Sequence, residues 1–279
     1  MGRAVKIFHR HPDRHAPMPE RLDPTPRPHA ESRSTTRAAL RTAREALRGA
    51  TVALSGLVYP DLCLGCDRRL PPRDEGDALA GLPLCPTCLA ALPAAPPVHD
   101  AAALADARAA GTIDGAFALW AYDAGGTVRR VQHALKYGGH ERLGRPLGHL
   151  VGAAWARAGA GTPDVVLPVP LASLRLLERG YNQAAALAEG AAAALGTAFR
   201  TDRLVRSRST RSQTSLSPAE RRANVDGAFA VPAPWTVDGL HVLLVDDVLT
   251  TGATLVAAAR PLAAAGARVS VATLAVVGA

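Results

Sequence analysis

Aromatic side chains are scarce in this chain of 279 residues, at 4%, and no run of 18 or more uncharged apolar residues occurs. A membrane-spanning helix needs about 20 such residues, so the sequence predicts no membrane span. The first residues also lack the apolar segment of a secretory signal, because basic side chains interrupt them from Arg3 to Arg14. The pattern Gly-x-x-x-x-Gly-Lys-Ser/Thr does not occur, which excludes a motor ATPase of that type. We therefore expect a soluble cytoplasmic protein.

Positive charge is concentrated at the start of the chain. Residues 1–49 hold eleven Lys and Arg against five Asp and Glu, which accounts for +6 of the formal +8. Residues 1–34 are also rich in Pro, His and Arg, with almost no apolar periodicity, so we predict a disordered basic tail there. Such a tail can attract nucleic acid, but we favour a solvated extension. Leucines spaced by seven residues then predict a helix over 35–57.

The four cysteines form two pairs, Cys63/Cys66 and Cys85/Cys88, with 18 residues between the pairs. Two Cys-x-x-Cys pairs at this separation have the spacing of a tetrahedral four-thiolate zinc site. Reduced core thiols or two disulfides are the alternatives, but no secretory context supports disulfides. We predict a small zinc-ribbon module over residues 58–98. Its zinc would be structural, because four thiolates leave no open position for a substrate.

Strands and helices alternate after a proline-rich linker. The expected elements are strand 116–122, helices 126–137 and 143–158, strand 164–169, helix 181–195, weak strands near 199–205 and 228–231, strand 241–245, helix 254–265 and strand 269–277. Strand 164–169 is continuously apolar from residue 165 onward, as is typical of a buried parallel strand. The alternation predicts an α/β domain over residues 110–279, in which helices cover both faces of a parallel sheet.

Two adjacent carboxylates, Asp246 and Asp247, follow the apolar strand 241–245. Folds of this class bind ligands at the carboxyl ends of their strands. The helix-opening amides and the threonine hydroxyls of residues 250–254 suit a phosphate, and Gly252 lets the backbone come close to it. The carboxylates suit ribose hydroxyls and a hydrated Mg²⁺. The alternative is a capped helix with two solvated acids, since Asp and Thr are common at helix N-termini.

Residues 242–254 read Val-Leu-Leu-Val-Asp-Asp-Val-Leu-Thr-Thr-Gly-Ala-Thr, and this string closely resembles the phosphoribosyl pyrophosphate (PRPP) motif of type I phosphoribosyltransferases. Further matching stretches, in the order found in the family, are 135–139, 168–171, 179–183 and 213–224. Residues 58–278 as a whole resemble the competence-associated ComF family. The resemblance implies a type I phosphoribosyltransferase domain that follows a four-cysteine zinc ribbon.

The resemblance also implies a role for each matching residue. The acidic pair would bind the ribose 2′ and 3′ hydroxyls of PRPP, the 5-phosphate would lie against 250–254, and the pyrophosphate would lie at the loop after strand 164–169. Mg²⁺ would accompany PRPP. The residues implied in PRPP binding are Asp246, Asp247, Thr250, Thr251, Gly252, Ala253, Thr254, Pro170, Leu171, Arg175 and Arg179. Those implied in catalysis are Asp246, Asp247, Arg211 and Arg221. For the arginines at 175 and 179, simple surface positions are the alternative.

The stretch 203–222 holds six arginines against one acid, Glu220. Ser, Thr and Gln fill the gaps, so the stretch has no core pattern. It resembles the flexible loop that closes over PRPP during catalysis. A nucleic-acid-binding loop and a merely solvated loop are the alternatives, although so concentrated a charge repels itself without an anionic partner.

Three functions are compatible with these patterns. The first is phosphoribosyl transfer to a nitrogen acceptor that the sequence does not identify. The second is a non-catalytic accessory role in DNA uptake, in which the chain meets single-stranded DNA or a helicase partner. The third is a regulator that senses PRPP without turnover. The intact acidic pair favours the first and the third, whereas the basic segments favour the second.

Overall fold

The computed structural model describes residues 62–71, 77–98, 102–137, 141–208 and 225–278, which all belong to one compact unit. The predicted basic tail at 1–34 and the predicted helix at 35–57 lie outside the described residues. The same is true of Arg211 and Arg221.

A five-stranded parallel sheet forms the centre of the described unit, with the strand order β1-β7-β6-β2-β3. The elements in chain order are α1 (Pro86–Ala90), α2 (Ala102–Ala109), β1 (Gly115–Ala121), α3 (Thr127–Tyr137), α4 (Glu141–Arg157), β2 (Val165–Pro168), α5 (Ser173–Arg179), α6 (Gln183–Leu195), β3 (Ala198–Phe199), β4 (Val205–Arg206), β5 (Phe229–Ala230), β6 (His241–Leu249), α7 (Ala253–Ala264) and β7 (Arg268–Val276). Strands β4 and β5 form a separate antiparallel pair. The predicted α/β fold is confirmed.

Apolar side chains on the two faces of the sheet form two separate cores. Val242 and Leu244 of β6 belong to the core that includes side chains of α2 and α7. Leu243 and Val245 belong to the core that includes side chains of α3, α4 and α6. This alternation follows from the two-residue period of a strand. Among the described helices, none is long and apolar enough to cross a bilayer.

Two sequence-based boundaries are wrong in ways that affect the site. Strand β6 does not end at Val245 but continues to Leu249, so both acids lie within a strand and not in a loop. The helix expected from residue 181 begins at Gln183, because the Asn182 side chain caps it and accepts from the Ala184 amide at 3.1 Å. Helices α1, α2 and α5 were not predicted.

Candidate functional site

The acidic pair lies at the carboxyl edge of the sheet. There the connections that follow the neighbouring strands β2 and β6 run to opposite sides of the sheet. The chain leaves β2 towards β3 at one end of the sheet, and it leaves β6 through α7 towards β7 on the other side. Such a reversal of direction opens a crevice at the carboxyl ends of the two strands. The loops after β2 and β6 therefore face a common site, as the sequence predicts for residues 170–171 and 250–254.

Asp247 is held from α3 by two polar side chains. The Lys136 Nζ lies 2.7 Å from the Asp247 Oδ2, and the Asp247 side chain is only 6% exposed. The Gln132 Nε2 donates to the Asp247 backbone carbonyl at 3.1 Å. An ion pair so well shielded from water fixes the carboxylate more firmly than an exposed pair would.

Asp246 has the less favourable environment of the two acids. Burial raises the pKa of Asp246 well above its ordinary range, and the negative charge of Asp247 raises it further. The Asp247 amide donates to the Asp246 Oδ1 at 2.8 Å and partly offsets this. A carboxylate in this position gains from a nearby cation.

One arginine, Arg206, lies within electrostatic reach of this carboxylate, and a second, Arg175, lies within reach of Arg206. Burial lowers the pKa of Arg206, the charge of Asp246 opposes that shift, and the charge of Arg175 adds to it. The guanidinium of Arg206 also lies 5.2 Å from the Phe229 ring centre. The edge of the sheet therefore combines a carboxylate pair with clustered arginines, which suits a ligand with ribose hydroxyls and negatively charged phosphates.

The N-terminus of α7 lies directly after β6. Gly252 is the N-cap residue, with φ 77° and ψ −7°, a left-handed conformation that strongly favours glycine. Because glycine has no side chain, Gly252 makes no side-chain cap to the first turn of α7, and Thr251 and Thr254 are half-buried beside it. A helix N-terminus with this arrangement suits a phosphate group.

The loop after β2 is tied to the start of α6. The Asn182 Nδ2 donates to the Val169 carbonyl at 3.1 Å, and Pro170 and Leu171 follow as half-buried residues. Helix α5 comes next, and its Arg179 lies 5.5 Å from the ring centre of Tyr137. Arg179 therefore contacts the end of α3, next to the lysine that pairs with Asp247.

Sequence reasoning did not assign roles to Gln132, Lys136 or Arg206. The first two could have been found, because they are polar residues four positions apart on a helix face that otherwise presents Val128, Val131 and Leu135 to the core. Arg206 could not be separated from its basic neighbours by sequence alone. It lies in β4, and the β4–β5 pair holds together the two ends of the chain segment that contains Arg211 and Arg221.

An arginine and a tryptophan form a contact at the other end of the sheet. The Arg203 guanidinium lies 3.1 Å from the ring centre of Trp235, whose side chain is partly exposed. Both line a cavity of about 380 Å³ together with Asp164, Val165 and Arg200. Asp164 and Val165 lie at the amino end of β2, whereas the acidic pair lies towards the carboxyl end of β6.

Residues 62–71 and 77–92, here called the four-cysteine module, bring all four thiols together. The four Sγ atoms lie within 4.8 Å of one another, and those of Cys66 and Cys85 are 3.9 Å apart. A tetrahedral zinc ion with Zn–S bonds of about 2.3 Å requires S···S distances of about 3.8 Å. The geometry therefore fits zinc.

Backbone amides favour ionisation of one thiol in this cluster. Burial disfavours the Cys63 thiolate, but hydrogen bonds from the amides of Cys85 and Gly65, both at 3.3 Å, outweigh it and lower the pKa of Cys63 to about 6. The thiols of Cys85 and Cys66 instead raise the pKa of Cys88 to about 12. Four adjacent thiols cannot all ionise unless a cation offsets the repulsion between the thiolates. A bound metal ion would supply that positive charge.

Comparison with known proteins identifies a family and several relatives that match part of this chain. Residues 151–279 match the phosphoribosyl transferase domain family. DNA utilization protein YhgH of Salmonella typhi is 37% identical over 127 residues, which cover 44% of this chain and 55% of that protein. The protein of the same name from Escherichia coli (strain K12) is 33% identical over 127 residues, with the same coverage. Competence protein F of Haemophilus influenzae is 37% identical over 98 residues, which cover 33% of this chain and 41% of that protein. The chain thus spans about half the length of these curated relatives.

Proposed function

We propose that this chain is a ComF-family protein that binds PRPP with Mg²⁺ and transfers the phosphoribosyl group to a nitrogen acceptor. The match of residues 151–279 to the phosphoribosyl transferase domain family and the similarity to DNA utilization and competence proteins support this proposal. The observation that carries the proposal is the acidic pair at the carboxyl edge of the sheet, of which Asp247 is buried and Asp246 is half-buried. It lies beside the glycine-capped N-terminus of α7, and Arg206 lies within electrostatic reach of Asp246. A phosphorylated ribose matches each of these features.

Each part of PRPP has a matching part of the site. Asp246 and Asp247 would accept hydrogen bonds from the ribose hydroxyls, and the amides and hydroxyls of residues 250–254 would hold the 5-phosphate. The loop at Pro170 and Leu171 would receive the pyrophosphate. Arg175 and Arg179 of α5 would supply positive charge beside that loop, and Arg211 and Arg221 would approach from the chain segment between β4 and β5.

The reaction would break the bond between C1 of the ribose and the pyrophosphate oxygen and form a bond from C1 to the acceptor nitrogen, which loses a proton. Negative charge grows on the departing pyrophosphate, so the arginines would stabilise the transition state more than the ground state. The acidic pair would hold the ribose while C1 gains positive character. Bound Mg²⁺ would neutralise part of the charge of the pyrophosphate.

We also propose that the four-cysteine module binds structural zinc through Cys63, Cys66, Cys85 and Cys88. The spacing of the thiols and the amide hydrogen bonds to Cys63 support this proposal. Four thiolates would fill the coordination shell, so the ion would stabilise the fold and take no part in the chemistry. A zinc site made of reduced thiols also supports the expected cytoplasmic location.

A screen for pyrophosphate release tests the transfer step. The purified protein is incubated with Mg²⁺ and PRPP and with one free purine base, free pyrimidine base or ammonia at a time. We expect release that depends on one acceptor and falls by about 100-fold or more in Asp246→Asn/Asp247→Asn. The matched control is Asp114→Asn, which removes an exposed carboxylate that pairs with Arg268. Saturable PRPP binding without release by any acceptor would instead favour the PRPP-sensing regulator.

A second candidate is an accessory role in DNA handling. The relatives carry the names DNA utilization protein and competence protein, and the contact between Arg203 and Trp235 joins a cation to a partly exposed aromatic ring. Stacking of a base on an aromatic side chain contributes about 1–3 kcal/mol. If Trp235 serves DNA, Trp235→Ala lowers affinity for labelled oligothymidine at least fivefold in an anisotropy titration. An unchanged affinity would remove this residue from any DNA surface and leave the basic stretches 1–34 and 203–222 as the candidates for DNA contact.

A further inference from the structure

Helix α3 contacts the four-cysteine module and also contacts the acidic pair. It has eleven residues, so it is about 16 Å long. Its side chains at 128, 131 and 135 are fully buried. A helix anchored along its length in this way moves as a rigid body, and a shift at one contact is transmitted to the other.

The contact with the module is partly apolar. Cys63, Leu82 and Leu84 are buried in the same core as Val128 and Val131 of α3. The module and the helix therefore contribute side chains to one apolar core. The shape of the module itself depends on the two cysteine pairs being held together.

A hydrogen bond adds to this apolar contact. The Arg130 Nη2 donates to the Gly65 carbonyl at 3.1 Å. Gly65 lies inside the first cysteine pair and is packed so closely that an added Cβ would be 2.6 Å from the Cys88 Sγ. The position of this carbonyl is therefore set by the arrangement of the thiols.

The contact with the acidic pair is polar. Gln132 donates to the Asp247 carbonyl, and Lys136 pairs with the Asp247 carboxylate. Because an ion pair of 2.7 Å weakens as its partners separate, a small displacement of α3 would change the position of this carboxylate.

We propose that the metal-loaded four-cysteine module positions α3, and that α3 thereby holds Lys136 and Gln132 against Asp247. Arg130 is a positioning residue in this arrangement, since it acts on the acidic pair through the helix and does not touch the ligand. The inference rests on the proposed zinc and PRPP sites, but its first test needs no PRPP.

The first test is hydrogen exchange of the full chain before and after removal of zinc with a chelator. We expect backbone amides of residues 127–137 to exchange at least tenfold faster without metal, whereas those of α7, which belongs to the other core, change less than twofold. Equal changes in α3 and α7, or no change in α3, would overturn the proposal.

The second test measures the affinity for Mg²⁺ and PRPP by calorimetry in zinc-loaded variants. Arg130→Ala should weaken binding roughly three- to tenfold, the range for loss of one hydrogen bond, and Arg130→Lys should recover part of it. Arg129→Ala is the matched control, because Arg129 is an exposed neighbour whose backbone amide makes its hydrogen bond to Asp123.

A double-mutant cycle separates positioning from general destabilisation. If Arg130 acts through Lys136, Arg130→Ala has less than a twofold effect in a Lys136→Met background. Full additivity of the two substitutions, or equal effects of Arg129→Ala and Arg130→Ala, would overturn the proposal. If the wild type does not bind PRPP at all, the proposed function fails, and the hydrogen-exchange result alone decides whether the module positions α3.

Discussion

The Asp246 side chain favours ligand binding at the expense of the stability of the free protein. Its neighbour Asp247 has the ammonium group of Lys136 at 2.7 Å. Asp246 instead is affected mainly by burial and by the charge of Asp247, and both raise its pKa. A residue that destabilises the fold in the absence of ligand is typical of a functional site.

Asp246→Asn should therefore stabilise the free protein while it weakens PRPP binding. The raised pKa means that the folded state retains the proton to a higher pH than the unfolded chain, whose carboxyl titrates near 3.8. Stability is thus lost as the pH rises from 3.8 through the folded pKa. We expect urea unfolding at pH 7 to show that the free energy of unfolding of Asp246→Asn exceeds that of the wild type by roughly 0.5–2 kcal/mol. This difference should decrease as the pH falls towards 3.8.

The exposed carboxylate Asp114 provides the control for this substitution. It pairs with Arg268 at 3.1 Å at the opposite end of the sheet, and exposed pairs contribute about 0–1 kcal/mol. Asp114→Asn should consequently be neutral or slightly destabilising at pH 7. If Asp246→Asn lowered the free energy of unfolding at pH 7, the Asp246 carboxylate would not destabilise the folded protein as its burial implies.

Among the helices, α4 and α6 depend on glycine for their close approach. A Cβ added at Gly148 would lie 2.7 Å from the carbonyl carbon of Leu187, and one added at Gly190 would lie 2.8 Å from the His149 nitrogen. These neighbours are backbone atoms of the facing helix, so they cannot rotate away. Helix α6 in turn begins at the site, because its capping Asn182 holds the loop after β2.

Gly148→Ala should lower the free energy of unfolding by about 3 kcal/mol, the upper end of the range for overpacking. Gly125→Ala is the control, because an added Cβ there meets no atom within 4 Å. We expect Gly125→Ala to change stability by less than about 0.5 kcal/mol in the same urea titration. Similar effects of the two substitutions would show that α4 and α6 are not in close contact.

Sequence reasoning predicted the elements with a clear apolar period and missed those without one. The parallel strands were found because their side chains are continuously apolar. Helix α5 was missed because its leucines face outward: Leu174 is 68% and Leu177 is 83% exposed, while Arg175 and Arg179 are half-buried. The extension of β6 to Leu249 was missed because two charged residues within a central strand contradict the usual pattern.

At the scale of the whole molecule, charge and site chemistry are separated along the chain. Most of the formal net charge lies in residues 1–49, whereas the acidic pair and the four-cysteine module lie on a nearly neutral remainder. The cysteine spacing predicted a cluster, and the four thiols do lie within 4.8 Å of one another. The contact of α3 with both sites could not be predicted, because it depends on residues distant in sequence, such as Gly65 and Arg130.

The most direct test of the account is calorimetric titration of PRPP with Mg²⁺ into the zinc-loaded full chain. We expect saturable binding by the wild type and by Asp114→Asn, and a loss of at least 100-fold in affinity in Asp246→Asn/Asp247→Asn, since each carboxylate contributes charge-assisted hydrogen bonds of about 1.5–3 kcal/mol. No binding by the folded wild type, or equal binding by the double variant, would contradict a PRPP site at the end of β6.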